Sequence, residues 1–165
     1  MKKVLIAYYS WSNGNTKRIA EMLRKGIGGD LIRIDTLTPY EGSYDDVVKQ
    51  GQEEVRKKYE PALQPIDIHP ADYDVIAVGT PTWWYTMAPA VRTFLHKESF
   101  AGKTVIPFTT NGGWPGHVIK DMKAACNGAD ITCEMQVQFD SEGGSNLVTP
   151  PEQIQQWIKK VKEIL

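Results

Sequence analysis

Apolar runs alternate with stretches of helical spacing along the chain. Residues 3–9 (Lys-Val-Leu-Ile-Ala-Tyr-Tyr) are rich in β-formers and predict a first strand. Beyond it, Ile19, Ala20, Met22, Leu23 and Ile27 recur at intervals of three and four, which is the period of a helix. Gly28-Gly29 ends that helix. A second strand is predicted at residues 30–35, then a helix over residues 43–59 with Tyr44, Val47, Val48, Val55 and Tyr59 on one face. Residues 74–79 contain Val-Ile-Ala-Val, the unbroken apolar run of a strand covered on both sides. Residues 88–96 read as a helix whose first turn holds Pro89, where a missing N–H does no harm. A fourth strand at residues 103–109 and a fourth helix at 117–126 follow.

Residues 131–139 differ from the other strands. Ile131, Cys133, Met135, Val137 and Phe139 alternate strictly with Thr132, Glu134, Gln136 and Gln138, so this strand is expected at an edge with one wet face. The last helix is expected to open at Thr149-Pro150-Pro151-Glu152, which has capping-box spacing, and to bury Ile154, Trp157, Ile158, Val161 and Leu165. Five such βα units predict a parallel sheet with helices on both faces, a doubly wound three-layer α/β fold. No repeat, low-complexity segment or long linker divides the chain, so residues 1–165 are read as one domain.

Composition narrows the function classes. With 41% hydrophobic and 24% charged residues, the chain matches an ordinary soluble globular protein. No apolar run approaches the roughly 18–20 residues of a membrane span, and the short run after Met1-Lys2-Lys3 reads as a strand, not a signal peptide. No membrane is expected as a partner, and the chain is expected in the cytoplasm. A net charge of −1 leaves no basic stripe to neutralise nucleic-acid phosphates. The two cysteines, Cys126 and Cys133, suggest neither a disulfide framework nor a metal site, and both are expected as small buried hydrophobes.

Candidate chemistry lies at three strand ends, which doubly wound sheets place on one rim, where the winding reverses. After the first strand, Ser10-Trp11-Ser12-Asn13-Gly14-Asn15-Thr16 opens directly into a helix. Backbone N–H groups at that helix start, with short hydroxyl and amide side chains around them, make a phosphate seat that needs no fixed cation. A plain helix cap would need only one of these polar residues. After the third strand comes Gly79-Thr80-Pro81-Thr82-Trp83-Trp84-Tyr85. Three consecutive aromatics in a loop cannot all turn inward, and a flat aromatic ligand would give them a stacking partner. The fourth strand runs into Thr110-Asn111-Gly112-Gly113-Trp114, where paired glycines let backbone approach a ligand.

The first of these loops resembles the flavodoxin phosphate loop, with one residue more than the usual T-x-T-G-x-T. The segments Pro81-Thr82-Trp83-Trp84-Tyr85 and Pro89-Ala90-Val91-Arg92-Thr93-Phe94-Leu95, with the turn at Thr110-Asn111-Gly112-Gly113, are similar to a bacterial subgroup of short flavodoxin-like proteins. Flavodoxin itself exemplifies the strand-end rule, so the weight lies on the residues at those ends. The resemblance covers essentially the whole chain and implies a five-stranded parallel sheet of order 2-1-3-4-5 with FMN as cofactor. It implies that Ser10, Ser12, Asn13, Gly14, Asn15 and Thr16 hold the phosphate. Pro81, Thr82, Trp83, Trp84 and Tyr85 would flank the isoalloxazine, and Thr110, Asn111, Gly112 and Gly113 would meet its polar edge.

By that resemblance the chain carries electrons between redox partner proteins or small electron acceptors, as a monomer or weak homodimer. The alternative is an FMN-dependent NAD(P)H quinone or nitro reductase. His117, following Trp114-Pro115-Gly116, is read either as a capping or surface histidine or as a substrate contact. Two other classes share features of the pattern and lack its chemistry. A phosphorelay receiver needs acidic groups after the first strand and an aspartate ending the third, where this chain has Tyr9-Ser10 and Gly79-Thr80. A tyrosine phosphatase needs a cysteine nucleophile in the first loop, which has none.

Overall fold

A computed structural model describes residues Met1–Leu165. Its chain order is β1 (Val4–Tyr8), α1 (Asn15–Ile27), β2 (Asp30–Arg33), α2 (Tyr44–Arg56), β3 (Val75–Trp83), β4 (Thr86–Met87) and α3 (Pro89–Lys97). Then follow β5 (Thr104–Asn111), α4 (Val118–Ala125), β6 (Asp130–Ile131), β7 (Met135–Gln138) and α5 (Pro151–Glu163). The parallel strands run β2-β1-β3-β5, and β6 and β7 both pair in parallel with the outer edge of β5. This is the expected order, with β5 as the fourth parallel strand and β6 with β7 as the fifth.

Each central strand buries both faces. In β1, Val4, Ile6 and Tyr8 join the cluster containing Ile19 and Leu23 of α1 and Ile154, Trp157, Ile158 and Val161 of α5. The intervening Leu5 and Ala7, with Tyr9 just beyond the strand, join Val91, Phe94 and Leu95 of α3 and Val118 and Met122 of α4. The period of two in a strand sends successive side chains to opposite layers, which is why these runs show no polar alternation. At roughly 1.5–3 kcal/mol for each large apolar side chain taken from water, both layers are needed to hold the sheet.

Three local expectations are corrected. The fifth strand is not continuous over residues 131–139: Cys133 takes a left-handed φ of 52° and its carbonyl accepts the Trp157 indole N–H at 2.6 Å. That tertiary bond splits the run into β6 and β7, while Gln136 and Gln138 remain exposed and Val137 buried as the alternation requires. The capping box at Thr149 is absent, because the Thr149 hydroxyl accepts the Gln138 N–H at 2.7 Å and α5 starts from Pro150. A capping box does form at α2, where Ser43 and Asp46 bond reciprocally. Finally, the apolar face expected on α2 is mostly wet: Val47 is buried, Tyr44 and Tyr59 are exposed, and the helix stops at Arg56. Of the cysteines, Cys126 is buried and Cys133 half-buried.

Candidate functional site

The turn between β1 and α1 leaves a row of amides without acceptors in the chain. Gly14 caps the helix at φ 73°, a conformation that suits a residue without Cβ, and no side chain caps it. Within residues 12–16 no backbone N–H donates to another group of the chain. Ser10, 2% exposed, turns its hydroxyl inward to accept the Lys17 N–H at 3.2 Å. The turn therefore presents backbone donors at a positive helix end, the chemistry that suits an anion.

Residues 139–146 meet that turn from another side. The Asp140 carboxylate accepts backbone N–H groups from Asn146 at 2.9 Å, Gly144 at 2.8 Å and Glu142 at 3.2 Å, which hold it below the usual carboxylate range. The turn organised in this way offers its carbonyls to the first loop. Asn13 Nδ2 donates to Gly143 O, and Asn15 Nδ2 donates to Gly144 O at 3.0 Å. The other amide atom of Asn15, Oδ1, is left buried without a partner.

Strand β3 continues through Trp83 and doubles back into β4, so the aromatic triplet lies in a hairpin, not an open loop. Its two turn residues, Trp84 and Tyr85, have φ 49° and 70°. Such a turn matches sheet twist but ordinarily takes Asn or Gly. Trp83 sits edge-on to Tyr9, Trp11 and Tyr40, with centroids 5.7, 6.0 and 5.3 Å away. Gly51 of α2 makes room for it, since a Cβ there would lie 3.0 Å from the Trp83 ring. Trp11 stacks on Tyr44 at 5.5 Å and 24°, and the Trp84 indole donates to Val48 O at 3.2 Å. Below them, Tyr40 donates to Glu54 at 2.7 Å; burial and that carboxylate push its phenol well above its usual range.

The third loop is tied to the first. Thr16 Oγ1 and Thr110 Oγ1 share a buried hydrogen bond, while Asn111 Oδ1 accepts the Gly113 N–H at 2.7 Å and shapes the turn. Thr82 Oγ1 is buried between these loops with no partner.

Together the loops enclose a cleft of about 250 Å³. It is lined by Ser12, Asn13, Asn15, Thr16, Pro81, Thr82, Trp83, Trp84, Thr110, Asn111 and Gly112. Ser10, Gly14, Tyr85 and Gly113 stand outside that lining. Tyr85, 53% exposed, shares a neighbouring depression with Trp114. Sequence reasoning missed Trp11, Tyr44, Val47, Val48 and Gly51 on one wall and Phe139, Asp140, Gly143 and Gly144 on another. The pair Gly143-Gly144 was the one local signal for the second group. His117 lies outside the cleft: its Nδ1 pairs with Asp121, which also accepts the Thr86 hydroxyl at 2.5 Å.

The family model described as Flavodoxin matches residues 3–160. A curated relative, the NAD(P)H dehydrogenase (quinone) of Chromohalobacter salexigens, is 36% identical over 104 residues, 59% of this chain. The match spans 47% of that relative, about half its length. Among solved structures, a candidate flavoprotein of Bacteroides uniformis superposes with a TM-score of 0.78 at 28% identity, covering 96% of this chain and 98% of the other. A Lactobacillus acidophilus flavoprotein in complex with FMN shares the fold at TM-score 0.69 and 23% identity, covering 82% and 93%. No helix is long and apolar enough to cross a membrane.

Proposed function

Since the chain belongs to the flavodoxin family, matched over residues 3–160, we propose that it binds FMN in the three-loop cleft and carries electrons between redox partners. The observation that carries this reading is one cleft joining a row of unpartnered amides to a wall of indole and phenol rings. The N–H groups of residues 12–16 would take the phosphate, helped by the Ser12 and Thr16 hydroxyls. Trp83 and Trp84, with Trp11 behind them, would flank the ring system and exclude water from it. Thr82 Oγ1 and Asn15 Oδ1, both buried without partners, supply acceptors or donors that a bound polar group would satisfy. Thr110, Asn111 and Gly112 would meet the polar ring edge. When bound, FMN supplies one- and two-electron chemistry that no side chain of this protein provides.

On this reading residues 1–165 act as one cytoplasmic FMN-binding domain, monomeric or weakly dimeric, serving redox proteins or small acceptors. A second reading, an FMN-dependent NAD(P)H quinone or nitro reductase, draws support from the Chromohalobacter salexigens relative. It also draws on the open depression beside the cleft, where Trp84, Tyr85 and Trp114 could meet a flat acceptor.

The test is FMN titration of the purified chain by visible absorption and fluorescence, then reduction with NADH or NADPH in the presence of a quinone. Quenched, saturable FMN binding without pyridine-nucleotide oxidation supports the carrier. Catalytic NAD(P)H oxidation favours the reductase. Absence of any FMN binding removes both.

A further inference from the structure

A second cavity, of about 380 Å³, lies between α2, α3 and α4 and shares no lining residue with the cofactor cleft. It receives Arg92, the basic residue of the Pro89-Ala90-Val91-Arg92-Thr93-Phe94-Leu95 segment, to which the cofactor cleft assigns no role. We propose that this cavity binds a small organic oxyanion, a carboxylate or phosphate monoester with an apolar body, whose anionic group sits on the Arg92 guanidinium.

Around the cavity the carboxylates are hydrogen-bonded, and the Arg92 Nε–H is not. Each acid around the cavity has a partner. Glu54 accepts from Tyr40 and Gln50, both at 2.7 Å, and Asp121 holds His117 and Thr86. Glu60 lies 3.2 Å from the His96 ring. The cations are matched less well. Arg92 Nε is buried and makes no hydrogen bond, and its only carboxylate neighbour, Glu60, stands 3.9 Å away, beyond hydrogen-bond reach. Lys58 on the same wall has no carboxylate within ion-pair distance. A guanidinium is a planar fork that suits two parallel bonds to an oxyanion, and a buried N–H without an acceptor favours any ligand that supplies one. The remaining wall is apolar, formed by Val55, Met87, Pro89 and Ala125, so a ligand with a hydrocarbon or aromatic body gains more than a bare ion does.

The inference is independent of FMN and is tested on the full chain by isothermal titration and by amide chemical shifts. The probes are benzoate, phenyl phosphate and inorganic phosphate. Saturable binding of benzoate or phenyl phosphate is expected at roughly millimolar Kd or tighter, with inorganic phosphate clearly weaker. The stronger of the two aromatic probes identifies the anionic group. Arg92→Gln should weaken that binding about tenfold and Arg92→Lys by less, because the charge remains while the fork is lost. Glu60→Gln, which removes the one competing carboxylate, should tighten it. FMN affinity should stay unchanged in all three variants. No saturable binding of either aromatic probe, or equal binding by the wild type and Arg92→Lys together with no gain in Glu60→Gln, overturns the proposal even if Arg92→Gln fails to fold.

Discussion

The Thr16 hydroxyl lies 2.8 Å from the Thr110 hydroxyl, a buried bond between the first turn of α1 and the end of β5. Residues 94 apart in sequence are thus joined at the floor of the cleft. Thr110→Val keeps the shape and removes the bond, leaving the Thr16 hydroxyl buried and unpaired. It should cost about 1–2 kcal/mol in urea unfolding. The double variant Thr16→Val/Thr110→Val should cost less than the sum of the singles, since neither polar group then remains. Strict additivity would show that the two hydroxyls do not depend on each other.

Tyr85 holds φ 70° in the β3–β4 turn, with its side chain outside the cleft lining. Left-handed backbone costs a bulky residue roughly 1 kcal/mol that Asn largely escapes. Tyr85→Asn should therefore raise stability by about 0.5–1 kcal/mol and leave FMN affinity within twofold. Thermal unfolding and fluorescence titration on the same samples check both parts. A large loss of FMN affinity would place the Tyr85 ring against the cofactor.

Burial pushes the Cys126 thiol up to about 11. In the unfolded chain the thiol ionises at about 8.5, so below that pH both states are neutral and it adds no pH dependence. Between about 8.5 and 11 only the unfolded thiol loses its proton, and stability falls as pH rises, by at most about 1.4 kcal/mol per pH unit. Urea unfolding of the wild type and Cys126→Ala at pH 7.5 and 9.5 should show a steeper loss in the wild type. Ellman's reagent should reach Cys126 only on unfolding; rapid labelling in the folded state would contradict its burial.

Much of the cleft was legible because its parts are local. The first amides of any helix lack partners within it, so the expectation of free N–H groups at residues 12–16 could be read from a strand, short polar residues and a helix start. The aromatic triplet was readable as too much ring surface for the core. Individual side chains were not readable. Ser10 and Ser12 look equivalent in sequence, yet Ser10 turns inward to the Lys17 N–H while Ser12 lines the cleft. Thr149 had the spacing of a capping residue, yet its hydroxyl went to Gln138. Tyr44 fitted the period of a buried helix face, yet it stacks on Trp11 at the rim.

The sequence by itself determined the doubly wound sheet and the three loops on one edge. Strand and helix periods, and the burial of both sheet faces, are properties of short segments and leave few ways to wind the chain. Tertiary structure decided what closes the site. The turn at Gly143 and Gly144 meets Asn13 and Asn15 across separations of 130 and 129 residues. Such hydrogen bonds depend on where two distant loops meet, and no local pattern of residues encodes that meeting.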